Sequence, residues 1–147
     1  SRKNMNPTAQ LLNFVYQNSQ MGVETLERLI KTTEDEEFKK YLQSQHDEYL
    51  QLHTEAREKL NENGYDEKGI SAFEKLRTYL MLNFETLTDK SSSHIAEMLI
   101  VGSNMGVINA VKNLRRYDDA EPSAKRLMEK LLRSEEHNIQ ELKRFLS

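Results

Sequence analysis

Apolar side chains between Leu11 and Ile30 recur every three or four residues (Leu11, Leu12, Val15, Leu26, Leu29, Ile30), the period of an amphipathic helix. Asn6-Pro7 marks its start, since Asn caps a helix well and Pro is tolerated at the first helical position. Thr33-Glu34-Asp35-Glu36 separates this helix from the next. Thr33 with Glu36 three residues on predicts a capping box, and the acidic run suits a helix N-terminus better than a cation site. The second helix carries Phe38, Leu42, Tyr49, Leu52, Ala56 and Leu60 on one face and stops at Asn63-Gly64, a left-handed cap. Residues 70–90 predict a connecting helix whose apolar positions (Phe73, Leu76, Tyr79, Leu80, Leu82, Phe84) lie all round it, so it is expected to be well buried. Ser91-Ser92-Ser93 caps a further helix over 94–116 with Ile95, Leu99, Gly102, Gly106, Ala110 and Leu114 in line. After a turn at 117–123, with Pro122 at the helix start, a last helix carries Ala124, Leu127, Met128, Leu131, Leu132, Ile139, Leu142 and Leu146.

The two halves repeat. Ser19-Gln20-Met21-Gly22-Val23 returns as Ser103-Asn104-Met105-Gly106-Val107, although Gly and Met occupy only 5 and 6 positions of the 147. In the same step Leu11 falls on Ile95, Val15 on Leu99 and Ile30 on Leu114. With a slightly longer step, Phe38 falls on Met128, Leu42 on Leu132, Ser44 on Ser134, Leu52 on Leu142 and Ala56 on Leu146. The chain is therefore expected to be one all-α domain over 1–147: a hairpin at about 7–63, a crossover with an extra helix at about 64–92, and a second hairpin at about 93–147. That is a four-helix bundle with a long crossover. Gly22 and Gly106 are expected to let the first and third bundle helices approach closely, with Met21 and Met105 filling the gaps.

Composition narrows the chemistry. Charged residues make up 31% with a net charge of −3 and both signs interspersed, so no basic stripe exists to track nucleic acid. There is no cysteine, which removes thiol nucleophiles and thiolate metal sites. The longest apolar run, around Met98 to Val101, is broken by Gly102, Ser103 and Asn104, so no membrane span is expected. The N-terminus shows no apolar secretory segment, and a cytoplasmic protein is the default. No Gly-rich phosphate loop and no Gly-x-Ser-x-Gly elbow is present.

The duplicated hairpin, the long crossover and the acid- and His-bearing second and fourth helices resemble the ferritin-like superfamily, over nearly the whole chain, and in particular its bacterial four-helix-bundle proteins. The resemblance implies a central layer where metal-binding members place one Glu on each of the first and third helices and a Glu-x-x-His pair on each of the others. Here Gln45-x-x-Glu48 and Glu135-x-x-Asn138 stand at the pair positions, and Asn18 or Ser19 and Gly102 or Ser103 at the single ones. Asn18, Ser19, Gln45, Glu48, Ser103, Glu135 and Asn138 thus form a candidate polar layer with two acids and no imidazole. Such a layer can satisfy itself by hydrogen bonding.

No catalytic residue and no cofactor is expected, so the chain is expected to be a non-catalytic interaction or structural protein, self-associating as a homo-oligomer such as a dimer. The alternative is an iron- or manganese-dependent oxidoreductase with a remodelled site. Its ligands would be Glu48, Glu135 and His137, the last one residue off the inward face. A small-molecule pocket lined by the polar layer and the aromatics of 70–84 is a third possibility. His46 and His53 lie about 10.5 Å apart along a helix, too far to share an ion, and all four histidines are expected to be solvated.

Overall fold

The computed structural model describes residues 6–67 and 73–147, so Ile70 and the start of the expected connecting helix lie outside the described residues. Five helices follow one another: α1 Pro7–Thr32, α2 Glu36–Glu62, α3 Glu74–Glu85, α4 Ser92–Arg116 and α5 Pro122–Leu142, with a 3₁₀ turn Lys143–Phe145 after the last. The caps explain these limits. Asn6 accepts from the Ala9 amide at 3.2 Å, and Ser91 accepts from the His94 amide at 3.2 Å. Gly64 ends α2 with φ +71, the left-handed conformation that favours glycine.

Between α1 and α2 the expected capping box is not formed. Asp35 is the N-cap of α2, accepting from the Phe38 amide at 3.1 Å. Thr33 instead closes α1, its hydroxyl donating to the Leu29 carbonyl at 2.8 Å. A carboxylate next to the first helical residue answers both the free amides and the helix dipole, which leaves Thr33 to the preceding helix.

Contacts between helix ends fix the directions. The Asn6 amide donates to the Tyr65 hydroxyl (2.9 Å), and the Glu121 amide to the Thr8 hydroxyl (2.9 Å), so α1 and α5 start at the end where α2 stops. At the other end Ser92 donates to Asp35 (3.2 Å) and Ser93 meets Ser147, so α4 starts where α2 starts. The order is up-down-down-up, and the crossover has to run back along the bundle. A 25-residue helix such as α4 is about 38 Å long, whereas the 12-residue α3 supplies about 18 Å.

The two hairpins share their burial pattern. Leu11 and Ile95, Val15 and Leu99, Ser19 and Ser103, Gln45 and Glu135, and Leu52 and Leu142 are all buried pairs. The match stops at Ala56 and Leu146, because α5 has already given way to the 3₁₀ turn and Leu146 is exposed. The expectation of a well-buried crossover helix is corrected. Phe73, Leu76 and Leu80 are buried, while Met81 and Leu82 are 46% and 56% exposed, so α3 lies on α4 through one narrow stripe.

Nor does the sequence expectation describe α4 fully. One 18-residue window of it reaches a mean hydropathy of 1.2 with few charges, apolar enough to match a membrane span by length and composition, yet only 39% of that window is buried. The interruption by Gly102, Ser103 and Asn104 hides this from a search for unbroken apolar runs.

Of the repeated glycines, Gly22 serves a side chain of α2 rather than the approach of α1 to α4, whereas Gly106 faces Asn18 of α1. A methyl group on Gly22 would lie 2.7 Å from the Tyr49 ring, so Gly22 seats that ring. At Gly106 it would lie 3.2 Å from Asn18 Nδ2 and 3.5 Å from Glu135 Oε2. At Gly102 it would meet only Leu76 and Leu80, at 3.5 and 3.7 Å, which is ordinary contact. Gly22→Ala should therefore destabilise the fold by about 1–3 kcal/mol through overpacking. Gly102→Ala should be neutral or stabilising by up to about 1 kcal/mol through helix propensity. Urea denaturation of the two variants checks the contrast, and equal effects would contradict it.

Candidate central polar site

Successive turns of α2 and α5 carry the layer inward. On α2, Leu42, Gln45, Tyr49 and Leu52 occupy one face, three or four residues apart. On α5, Leu131, Glu135, Asn138 and Leu142 do the same. α1 contributes Asn18 and Ser19, and α4 contributes Gly102, Ser103 and Gly106. Every residue expected in the layer is buried except Glu48, which is half-buried.

These residues divide into three groups. Glu135 lies at the centre, 2% exposed, and its Oε1 accepts a hydrogen bond from the Tyr49 hydroxyl. The Ser103 hydroxyl is within hydrogen-bonding reach of both. Asn18, Gln45, Tyr49, Ser103 and Glu135 all border a cavity of about 50 Å³, closed on the crossover side by Leu76 and Leu80 of α3. The volume suits one or two waters, and Gln45, one of the lining residues, has an amide oxygen buried with no protein partner.

The second group lies along the seam between α2 and α5. Glu48 Oε1 accepts from the Ser134 hydroxyl and, at 3.4 Å, from Asn138 Nδ2, and Asn138 Oδ1 accepts from the Tyr41 hydroxyl at 2.9 Å. The third group holds Ser19, which takes no part in the cavity. Its hydroxyl donates back to the Val15 carbonyl at 2.6 Å and lies 3.4 Å from His53 Nδ1.

His53 is not solvated as expected. It stacks on Tyr16 with ring centroids 4.4 Å apart and lies 3.3 Å from the Tyr16 carbonyl. Burial lowers its proton affinity, partly offset by that carbonyl. His46, also half-buried, lies 3.4 Å from both Glu27 and Asp47. His137 is exposed and borders a surface groove with Glu48 and Ser134, on the opposite side of α5 from the cavity. Glu48 and His137 thus face the groove while Glu135 faces the interior. Among the described residues no three His, Cys, Asp or Glu side chains gather as a metal site would need.

Two tyrosines outside the expected layer bond to it, Tyr49 to Glu135 and Tyr41 to Asn138. Tyr49 falls four residues after Gln45 and Tyr41 four before it, so helical spacing already places both beside the layer. What spacing does not show is that the ring seat opposite Tyr49 is glycine. Burial raises the Tyr49 hydroxyl well above its ordinary range, and the neighbouring Glu135 adds to this, so it stays a neutral donor.

No protein-family model, curated protein or solved structure matches this chain.

Glu135 is pushed up from its ordinary 4.5 to about 7. Loss of hydration is the main cause; hydrogen bonds from Tyr49 and Ser103 oppose it, and the charge of Glu48 adds to it. Below 4.5 folded and unfolded chains both hold the proton, and any stability tied to it is fully present. Between about 4.5 and 7 the unfolded chain ionises first, so stability falls, by about 3 kcal/mol in total, and stays low above 7. Glu135→Gln should abolish that fall, gaining on the parent chain as pH rises through this window. Urea denaturation at several pH values checks it, and parallel profiles would contradict it.

Proposed function

We propose that this chain is a non-catalytic, ferritin-like bundle acting as an interaction or structural protein, its metal layer replaced by side chains that bond to one another. The observation that carries this is the Tyr49–Glu135 hydrogen bond, formed at mid-bundle with the Tyr49 ring locked against Gly22. A metal at Glu135 would have to displace a phenol that is bonded to the acid and whose ring lies against Gly22. The second acid is committed as well, since Glu48 receives Ser134 and Asn138. Up-down-down-up helices with a long crossover support the ferritin-like part of the proposal, since in that superfamily too one long connection joins two hairpins. A cytoplasmic home fits the absence of cysteine from the chain.

Protein purified without chelator should carry iron and manganese far below one ion per chain. Added iron(II) or manganese(II) should leave the melting temperature unchanged, whereas a ligand at a hundred times its Kd stabilises by about 2.7 kcal/mol. Stoichiometric metal that disappears in the Glu48→Ala/Glu135→Ala variant would overturn the proposal in favour of a metal-dependent oxidoreductase.

A further inference from the structure

The outward face of α4 is unlike the surface of a helix that only covers a core. Its exposed positions, Glu97, Val101, Asn104, Ile108 and Lys112, fall on a single line three or four residues apart, directly opposite Leu99, Ser103, Gly106 and Ala110, which face the core. Val101 and Ile108 are 40% and 54% exposed, and half-buried Met105 and Val111 flank them. No charged residue lies between Glu97 and Lys112, a distance of about 22 Å along the helix. Val101, Asn104, Ile108 and Val111 keep the alternating three-and-four spacing of a coiled-coil seam. This seam is the reason α4 is so apolar while so little of it is covered.

The charges at the two ends are opposite. Glu97 stands at one end of the stripe, and Lys112 with Arg115 at the other, all exposed. A second α4 laid antiparallel on the first, about a two-fold axis near Asn104 and Met105, brings Glu97 of each copy to Lys112 and Arg115 of the other. The same rotation sets Val101 of each copy against the Ile108 region of the other and places the two Asn104 amides together at the axis. A parallel arrangement would put like charges on like at both ends. The stripe is therefore complementary to itself under a two-fold rotation, as the interface of a symmetric dimer must be. An isolated Asn within an apolar seam fixes register, which gives Asn104 a place in the pairing.

We infer that the exposed face of α4 is the docking surface for a second copy of this chain, joined antiparallel through Val101, Asn104 and Ile108 with Glu97 against Lys112 and Arg115. This names the partner for the interaction role proposed above and rests on that proposal. A monomer with an empty central layer would overturn the dimer alone, and a metal-loaded dimer the functional proposal alone.

Sedimentation equilibrium of the full chain tests the dimer, which should dissociate at about 1–100 µM. Ile108→Glu should weaken it at least about tenfold while leaving the helical circular dichroism unchanged, and the melting temperature too at concentrations where the parent chain is monomeric, since the side chain is already exposed. Glu97→Lys should weaken it as well, and adding Lys112→Glu to that variant should restore it. With no native cysteine, direction can be read from single thiols. Asn104→Cys should oxidise to a disulfide-linked dimer, and Glu97→Cys should not, because a disulfide needs Cα atoms within about 7 Å. A monomer at about 1 mM would overturn the inference, as would a dimer indifferent to Ile108→Glu, or equal cross-linking at both thiols. Monomeric wild type that sediments with phosphatidylcholine vesicles, and stops doing so on Ile108→Glu, would assign the stripe to a membrane surface instead.

Discussion

A carboxyl group far from water must be given donors or keep its proton, and the interior of this bundle is arranged around that requirement. Glu135 receives the Tyr49 hydroxyl and still titrates far above a solvated acid, because two hydrogen bonds only partly replace its lost hydration. The tyrosine can deliver its hydroxyl because its ring lies where Gly22 leaves no side chain. Glycine, aromatic ring and acid are thus one unit contributed by α1, α2 and α5. Ser103 from α4 completes it, so all four long helices are tied at one level.

The internal repeat gives this unit its place while the two halves have diverged within it. Ser19 and Ser103 are sequence equivalents, yet one bonds its own helix beside His53 and the other serves Tyr49 and Glu135. Gln45 and Glu135 are equivalents as well, one an amide whose oxygen is buried without a protein partner, the other an acid with a proton to hold. Duplication set the positions, and packing decided what each side chain does there. The result is a polar interior whose equivalent positions do different chemistry.

Much of this could be read from the residues. Asn6-Pro7, Asn63-Gly64, Ser91 and Pro122 placed the helix limits within a residue or two, because caps act locally. The inward faces of α2 and α5 followed from period, and the level of the layer on α1 and α4 from the resemblance. Choices between neighbours and relations between helices were less legible. Thr33 and Asp35 are both good caps, and only the backbone decides which helix each serves. The spread of apolar residues in α3 suggested burial because periodicity does not tell whether an apolar residue finds a neighbour. His53 looked like a surface residue until Tyr16 was seen to stack on it. The outward stripe of α4 was masked by the small and polar residues of the inward face that interleave with it.

The narrow footing of α3 has a thermodynamic consequence. Leu76 and Leu80 are its buried residues, Tyr79 and Phe84 are half-buried, and Met81 and Leu82 face solvent, so lifting α3 uncovers far less apolar area than unfolding the four long helices. Such an opening costs a fraction of global unfolding, so its amides should exchange hydrogen for deuterium well before those of α1 or α5. Such excursions widen the route by which water reaches the polar interior, on a timescale set by one short segment rather than by the bundle.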